Sequence, residues 1–147
     1  MKTKCSSRMK ALLLVLAMVL SLFCVSIGTA HPRFTDVPDS FWASKEIAWA
    51  VDKGVVNGTS ATTFSPNDKT LRGQMTAILY RYAGEPSVSA DLSAYTDTVD
   101  ISPYASKAVE WCVAKGILSG KSATRLAPQD TATRAECAAM LQRFAAL

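Results

Sequence analysis

The sequence predicts a mainly α protein made of two tandem helix-loop-helix repeats packed against each other. Three observations carry this expectation. Residues 40–83 and 102–145 align without a gap at an offset of 62, and 19 of the 44 paired positions are identical. Apolar residues recur at helical spacing in both copies, and the same helix-stop pattern, Lys-Gly, ends the first stripe of each. A unit of this size cannot bury its apolar face alone, so the period implies that neighbouring copies pack together.

The first thirty residues stand outside this pattern. Lys2, Lys4, Arg8 and Lys10 precede a charge-free run from Ala11 to Ile27, and Gly28-Thr29-Ala30 supplies small residues for cleavage. The segment 1–30 therefore reads as a secretory signal peptide. An uncleaved anchor is the alternative, although a 17-residue run sits at the lower end of the spanning range. Cys24 invites a lipoprotein reading, but the bulky Phe23 before it is wrong for that cleavage. The rest divides into a first repeat (31–83), a linker (84–93) and a second repeat (94–147).

Removing the leader changes the electrostatics. Taking its four cations from the 16 basic residues leaves 12, which equals the 12 acidic residues, all of which follow Ala30. The mature chain is near neutral, so no basic face for nucleic acid is expected, and membrane contact is expected only through the leader. Cys5 and Cys24 leave with the signal peptide. Cys112 and Cys137 remain, one on each expected helix of the second copy. Secretion permits a disulfide between them, and two small buried thiols explain them equally well.

In chain order, Phe34-Thr35-Asp36 opens the first copy and Tyr95-Thr96-Asp97 the second, at an offset of 61. Ser40 and Ser102 sit where a side-chain oxygen caps free helical N–H groups, and Pro103 follows at a tolerated first-turn position. Ala43, Ile47, Ala50 and Val51 form the first stripe, matched by Ala105, Val109, Cys112 and Val113. Trp49 and Trp111 read as core or inter-repeat packing. Lys53-Gly54 and Lys115-Gly116 stop both helices. The segments from Thr59 and Lys121 to their prolines, Pro66 and Pro128, read as ordered loops anchored by Phe64 or Leu126.

The second helix of the second copy begins with Thr133-Arg134-Ala135-Glu136, a capping box in which Thr133 and Glu136 satisfy each other's main-chain N–H groups. In the first copy Leu71-Arg72-Gly73-Gln74 stands there, so Thr70 or Asp68 is expected to start the helix. Met75, Ile78, Leu79 and Tyr82, and Cys137, Met140, Leu141 and Phe144, form the two apolar faces.

Taken together, Phe34-x-Asp36-Val37, Trp42, Ile47-Ala48-Trp49-Ala50, Gly54, Asn57-Gly58-Thr59, Phe64-Ser65-Pro66 and Arg72 resemble the S-layer homology module. The second copy, with its intact Thr133-Arg134-Ala135-Glu136, resembles it too, and the resemblance covers residues 34–145. It implies a helical module that anchors bacterial proteins at the cell wall without covalent linkage, through an acidic, usually pyruvylated, secondary wall polysaccharide. Such modules commonly come in threes, as a pseudo-threefold bundle with grooves between repeats. Two copies would form an incomplete version of it, completed by a homo-oligomer or another chain carrying the module.

The residue chemistry suits an acidic glycan. Arg134 and Arg72 offer planar donor forks for a carboxylate, Trp42 and Tyr104 offer flat faces for sugar C–H groups, and Asp36 and Asp97 accept from hydroxyls. Arg134 also fits an ion pair with Asp97 or Glu136, Asp36 and Asp97 also fit turn caps, and Glu136 fits a helix cap better than a ligand contact. Catalysis has little to work with. The sole histidine, His31, is the expected mature N-terminus, no zinc spacing occurs, and neither metal nor other cofactor is expected. The leading expectation is a secreted, non-enzymatic wall-binding protein. The alternative is an assembly module that completes a bundle on itself or another chain without binding glycan.

Overall fold

A computed structural model describes residues 34–147. The expected leader, Cys5, Cys24 and His31 lie outside the described residues. Four helices form, α1 (Ser44–Asp52), α2 (Arg72–Tyr82), α3 (Ser106–Ala114) and α4 (Arg134–Ala145), with 3-10 turns at Thr98–Asp100 and Pro103–Ala105. Among the described residues no strand forms, only isolated bridges joining Leu71 to Thr131 and Ser122 to Arg125. None of the described helices is long and apolar enough to cross a membrane.

The first helix of each repeat starts later than expected. The N-cap residues of α1 and α3 are Ala43 and Ala105, and neither helix has a side-chain cap. Ser40 and Ser102 are displaced because tight turns precede the helices, closed by Phe41 N–H to Pro38 O at 2.8 Å and Ala105 N–H to Ser102 O at 2.8 Å. Ser102 instead accepts from Gln129 Nε2 at 3.1 Å. Gly54 and Gly116 end α1 and α3 at φ 67° and 68°, the left-handed conformation that glycine adopts without a Cβ penalty.

The start of α4 follows its sequence closely, and that of α2 does not. In α4, Thr133 N–H donates to Glu136 Oε2 at 2.7 Å and Glu136 N–H donates to Thr133 Oγ1 at 3.2 Å. In α2 the N-cap is Leu71, not Thr70 or Asp68. Only half of the box forms there: Gln74 Oε1 accepts from Leu71 N–H at 2.8 Å, and leucine has no side-chain acceptor to return the bond.

Packing is unequal between the copies. The core gathers Leu79 of α2, Val109, Trp111 and Cys112 of α3, Met140 of α4, and Ile117, Leu118 and Leu126 of the second loop. Leu92 and Tyr95 pack against its edge, which ties the linker down. Helix α2 lies on α3 and on the Pro103–Ala105 turn, so the main helix contact crosses the repeat boundary. Helix α1 contains no buried residue. Trp111 is 2% exposed, with its ring 5.7 Å from Tyr80 and 6.3 Å from Phe144, whereas its repeat-mate Trp49 is 51% exposed. The expectation of a buried tryptophan therefore holds for Trp111 and not for Trp49, because only α3 has a neighbouring repeat's helix laid across it.

Cys112 and Cys137 are free thiols, not a disulfide. Cys112 faces α2, its Sγ 3.9 Å from Thr76 O, and burial pushes its pKa up to about 12.

The same residue in two settings gives a direct check. Trp111→Ala should cost about 3–5 kcal/mol by emptying a packed site, and Trp49→Ala under about 1.5 kcal/mol because half of its surface stays in water. Urea unfolding of the two variants measures the difference.

Candidate functional site

Each repeat fixes its loop with one aspartate. Asp97, 6% exposed, accepts from Leu126 N–H at 3.0 Å and Ala127 N–H at 2.7 Å. Asp36 accepts from Phe64 N–H at 2.9 Å and Ser65 N–H at 2.7 Å. These bonds hold Ser65 and Ala127 at φ 58° and 53°, a left-handed conformation disfavoured for residues with a Cβ. Thr35 and Thr96 add a matching main-chain bond each, to Thr62 O at 2.8 Å and Thr124 O at 2.9 Å. Gly120 lets the second loop close, since a Cβ there would stand 2.5 Å from Ser122 O.

The two loops meet different partners. Arg72, 4% exposed, reaches from the first turn of α2 into the second repeat. It donates from Nε to Leu126 O at 3.1 Å, from one terminal nitrogen to Glu136 Oε1 at 2.6 Å, and from the other to Ser119 O at 2.7 Å. The main chain joins in: Arg72 N–H donates to Asp130 O at 2.9 Å, Gly73 N–H to Pro128 O at 2.9 Å, and Ala132 N–H to Thr70 O at 2.9 Å. Five main-chain acceptors and one carboxylate thus lock the start of α2 onto the second repeat.

The corresponding place in the first repeat is an open groove of about 750 Å³. Asn57, Phe64 and Gln74 line it, the repeat-mates of Ser119, Leu126 and Glu136, which hold Arg72 in the second repeat. Lys69 and Arg81 add two cations against the single carboxylate of Asp68, and Tyr104 of the second repeat contributes an aromatic wall. In the second repeat Arg143, the mate of Arg81, is spent on Ile117 O at 3.2 Å and Ser119 Oγ at 3.0 Å. Among the described residues, no bond or ion pair engages the side chains of Lys69 and Arg81. The groove therefore presents donors and positive charge beside flat apolar surface, an arrangement chemically suited to a hydroxyl-rich anion.

Of the residues singled out from sequence, Tyr104 lines the groove. Arg72, Asp36 and Asp97 are engaged inside the protein as just described, and Thr133 and Glu136 form the α4 cap. Arg134 and Trp42 are exposed and do not line the groove; Trp42 is 86% exposed. Lys69 and Arg81 were not singled out. Arg81 carried a signal, since it recurs as Arg143, whereas Lys69 has no basic mate. No group of side chains suited to a metal ion occurs among the described residues.

The carboxylates are held ionised. The Thr133 N–H bond is the main influence lowering Glu136, ahead of opposing burial and the Arg72 charge. For Asp97 burial pushes upward, but the Leu126 and Ala127 N–H groups and the Arg125 cation outweigh it, so its pKa is also lowered. The Phe64 N–H bond lowers Asp36.

Comparison with known proteins gives a consistent picture. The S-layer homology domain model matches residues 33–76 and 94–138. The chain is 33% identical to an endoglucanase of Bacillus sp. (strain KSM-635) over 97% of its own length and 16% of that protein. It is 34% identical to the surface-layer 125 kDa protein of Lysinibacillus sphaericus over 76% of its length and 10% of that protein. A cellulosome-anchoring protein of Acetivibrio thermocellus shares 26% identity over 75% of the chain and 25% of that protein. The chain thus spans a small part of each relative.

Lowered carboxylate pKa values fix the sign of the pH dependence. Their stabilisation is fully present above the unfolded-state value of about 4 and is lost as pH falls through the lower folded-state values. Urea midpoints should therefore be flat from pH 7 to about 5 and fall below about 4. Asp97→Asn should have a lower midpoint at pH 7 and a shallower acid decline; an unchanged acid slope would show that Asp97 does not carry the effect.

Proposed function

Because this chain belongs to the S-layer homology family, we propose that it holds its protein on the cell wall by binding an acidic secondary wall polysaccharide in the first-repeat groove. The family module is a non-catalytic element of cell-envelope attachment, and the chain is accordingly a cell-surface protein rather than an enzyme. Its likeness to one segment of an endoglucanase and to one segment of a surface-layer protein fits a module shared by proteins with different remaining parts.

The observation that carries the glycan reading is the contrast between the two loop sites. In the second repeat the site is filled by Arg72 and closed by Arg143. In the first it is open, with Lys69 and Arg81 unengaged and Tyr104 and Phe64 alongside. An anionic sugar gains charge-assisted bonds from the two cations and apolar contact from the rings. Gln74 supports the same preference, since its Oε1 is occupied by Leu71 N–H and its Nε2 remains to donate. A pyruvylated sugar, whose ketal carbon carries a carboxylate and an apolar methyl group side by side, matches this mixture. Residues 1–30 are proposed to direct secretion.

The test is co-sedimentation of the protein with bacterial wall sacculi, before and after acid removal of the secondary polymer. Binding should disappear with the polymer, and Lys69→Ala/Arg81→Ala should weaken it at least about tenfold with an unchanged melting temperature. Equal sedimentation with stripped walls, or a double variant that binds as well as wild type, would defeat this reading.

A further inference from the structure

The contact that joins the two repeats has two unused halves. At the start of α4, the Arg134 side chain is exposed and, among the described residues, engages nothing; the Arg134 and Ala135 main-chain N–H groups likewise have no acceptor, as first-turn groups of a helix lack one within it. Their repeat-mates Arg72 and Gly73 spend the same three donor groups on the second repeat. The apolar side of α4 repeats the pattern. Leu79 of α2 is 4% exposed against α3, whereas its mate Leu141 is 49% exposed. The receiving half is open in the first repeat. Asn57, Phe64, Pro66 and Asp68 stand at the places whose carbonyls, in Ser119, Leu126, Pro128 and Asp130, accept from Arg72 and Gly73, and none of these four carbonyls accepts a hydrogen bond among the described residues. Beside them lies α1 with no buried residue and Trp49 half exposed.

We infer that this chain associates head to tail with a second copy of itself, Arg134 of one copy entering the first-repeat groove of the next. The occupant follows from continuity with the interface already present inside each chain. Four of the acceptors it requires are main-chain carbonyls, which the first repeat supplies whatever its side chains. Two substitutions moderate the contact, and so do Lys69 and Arg81, whose positive charge stands in the groove against the single carboxylate of Asp68 and opposes an entering guanidinium. Gln74 replaces the carboxylate of Glu136 and offers Arg134 no anion. Ala135 replaces Gly73, whose position leaves a Cβ 3.2 Å from the carbonyl it faces, so the receiving loop must give by a few tenths of an ångström. The association is therefore weak and reversible, and Gln74 is the residue that sets its strength. Because the donor and receiving surfaces differ, the contact is heterologous and does not close as a twofold dimer; mass continues to rise with concentration, as rings or open chains form. A copy docked in this way occupies the groove assigned to wall polymer, so the two ligands exclude each other there.

Sedimentation equilibrium of the purified chain without wall polymer tests the inference, and its outcome is independent of the wall-binding reading. Wild type should show average mass rising past that of a dimer with concentration. Gln74→Glu, which restores the arrangement folded around Glu136, should tighten association at least about tenfold. Arg134→Ala and Gln74→Lys should each be monomeric while retaining the wild-type helical signal. An equimolar mixture of these two should form a 1:1 dimer, because one has an intact receiving groove and the other an intact Arg134. Monomeric wild type together with monomeric Gln74→Glu, association undiminished by Arg134→Ala, or failure of the mixture to pair would each overturn it.

Discussion

The guanidinium of Arg72, taken out of water between the two repeats, is the interaction on which the arrangement depends. Burying a cation is costly unless its donors are met. Here they are met by the Glu136 carboxylate, by the Ser119 carbonyl and by the Leu126 carbonyl, whose residue the Asp97 clamp holds in place. The chain of cause runs from Asp97 through the loop to Arg72, and from Arg72 to the seating of α2 on α3. Trp111, Leu79 and Cys112 become core only because that seating brings the helices together. The open groove has the same origin. The first repeat has an equally well-formed loop, held by Asp36, and among the described residues no arginine fills it.

Local features were legible in the sequence and positional ones were not. The Thr133–Glu136 box and the Gly54 and Gly116 stops depend on residues within a few positions of one another, and they form where the sequence puts them. Ser40 and Ser102 misled because each is part of a tight turn that holds the chain short of the helix, an outcome that capping preference alone does not decide. The larger failures concern identical residues with unlike surroundings. Trp49 and Trp111 stand at matching places of their helices, and Arg72 and Arg134 at matching helix starts, where only Gly73 in place of Ala135 hints at the closer approach around Arg72. What separates them is which repeat has another laid against it. For the same reason the groove residues were hard to find: Lys69 and Arg81 matter because their side chains are left unengaged, and only the folded second repeat shows how a mate such as Arg143 is otherwise used.

This inequality between copies suits an attachment module. One loop site is consumed in building the unit and the other stays open, and on the reading proposed above that open site is the binding surface. Attachment through single grooves is weak, and multiplication of sites, whether on one wall polymer or through neighbouring copies, raises retention by effective concentration without new contacts. The near balance of acidic and basic residues after Ala30 leaves no strong general field, so in the proposed reading recognition rests on where Lys69 and Arg81 stand.

The central claim, that the Arg72–Glu136 contact couples the repeats into one unit, is tested most directly by a double-mutant cycle in urea unfolding. Arg72→Met keeps the bulk and removes the charge. Glu136→Gln keeps the helix cap, as Gln74 does for Leu71, and removes the anion. The account predicts a coupling energy of about 1–3 kcal/mol with unfolding remaining a single transition; additivity within about 0.5 kcal/mol would contradict it.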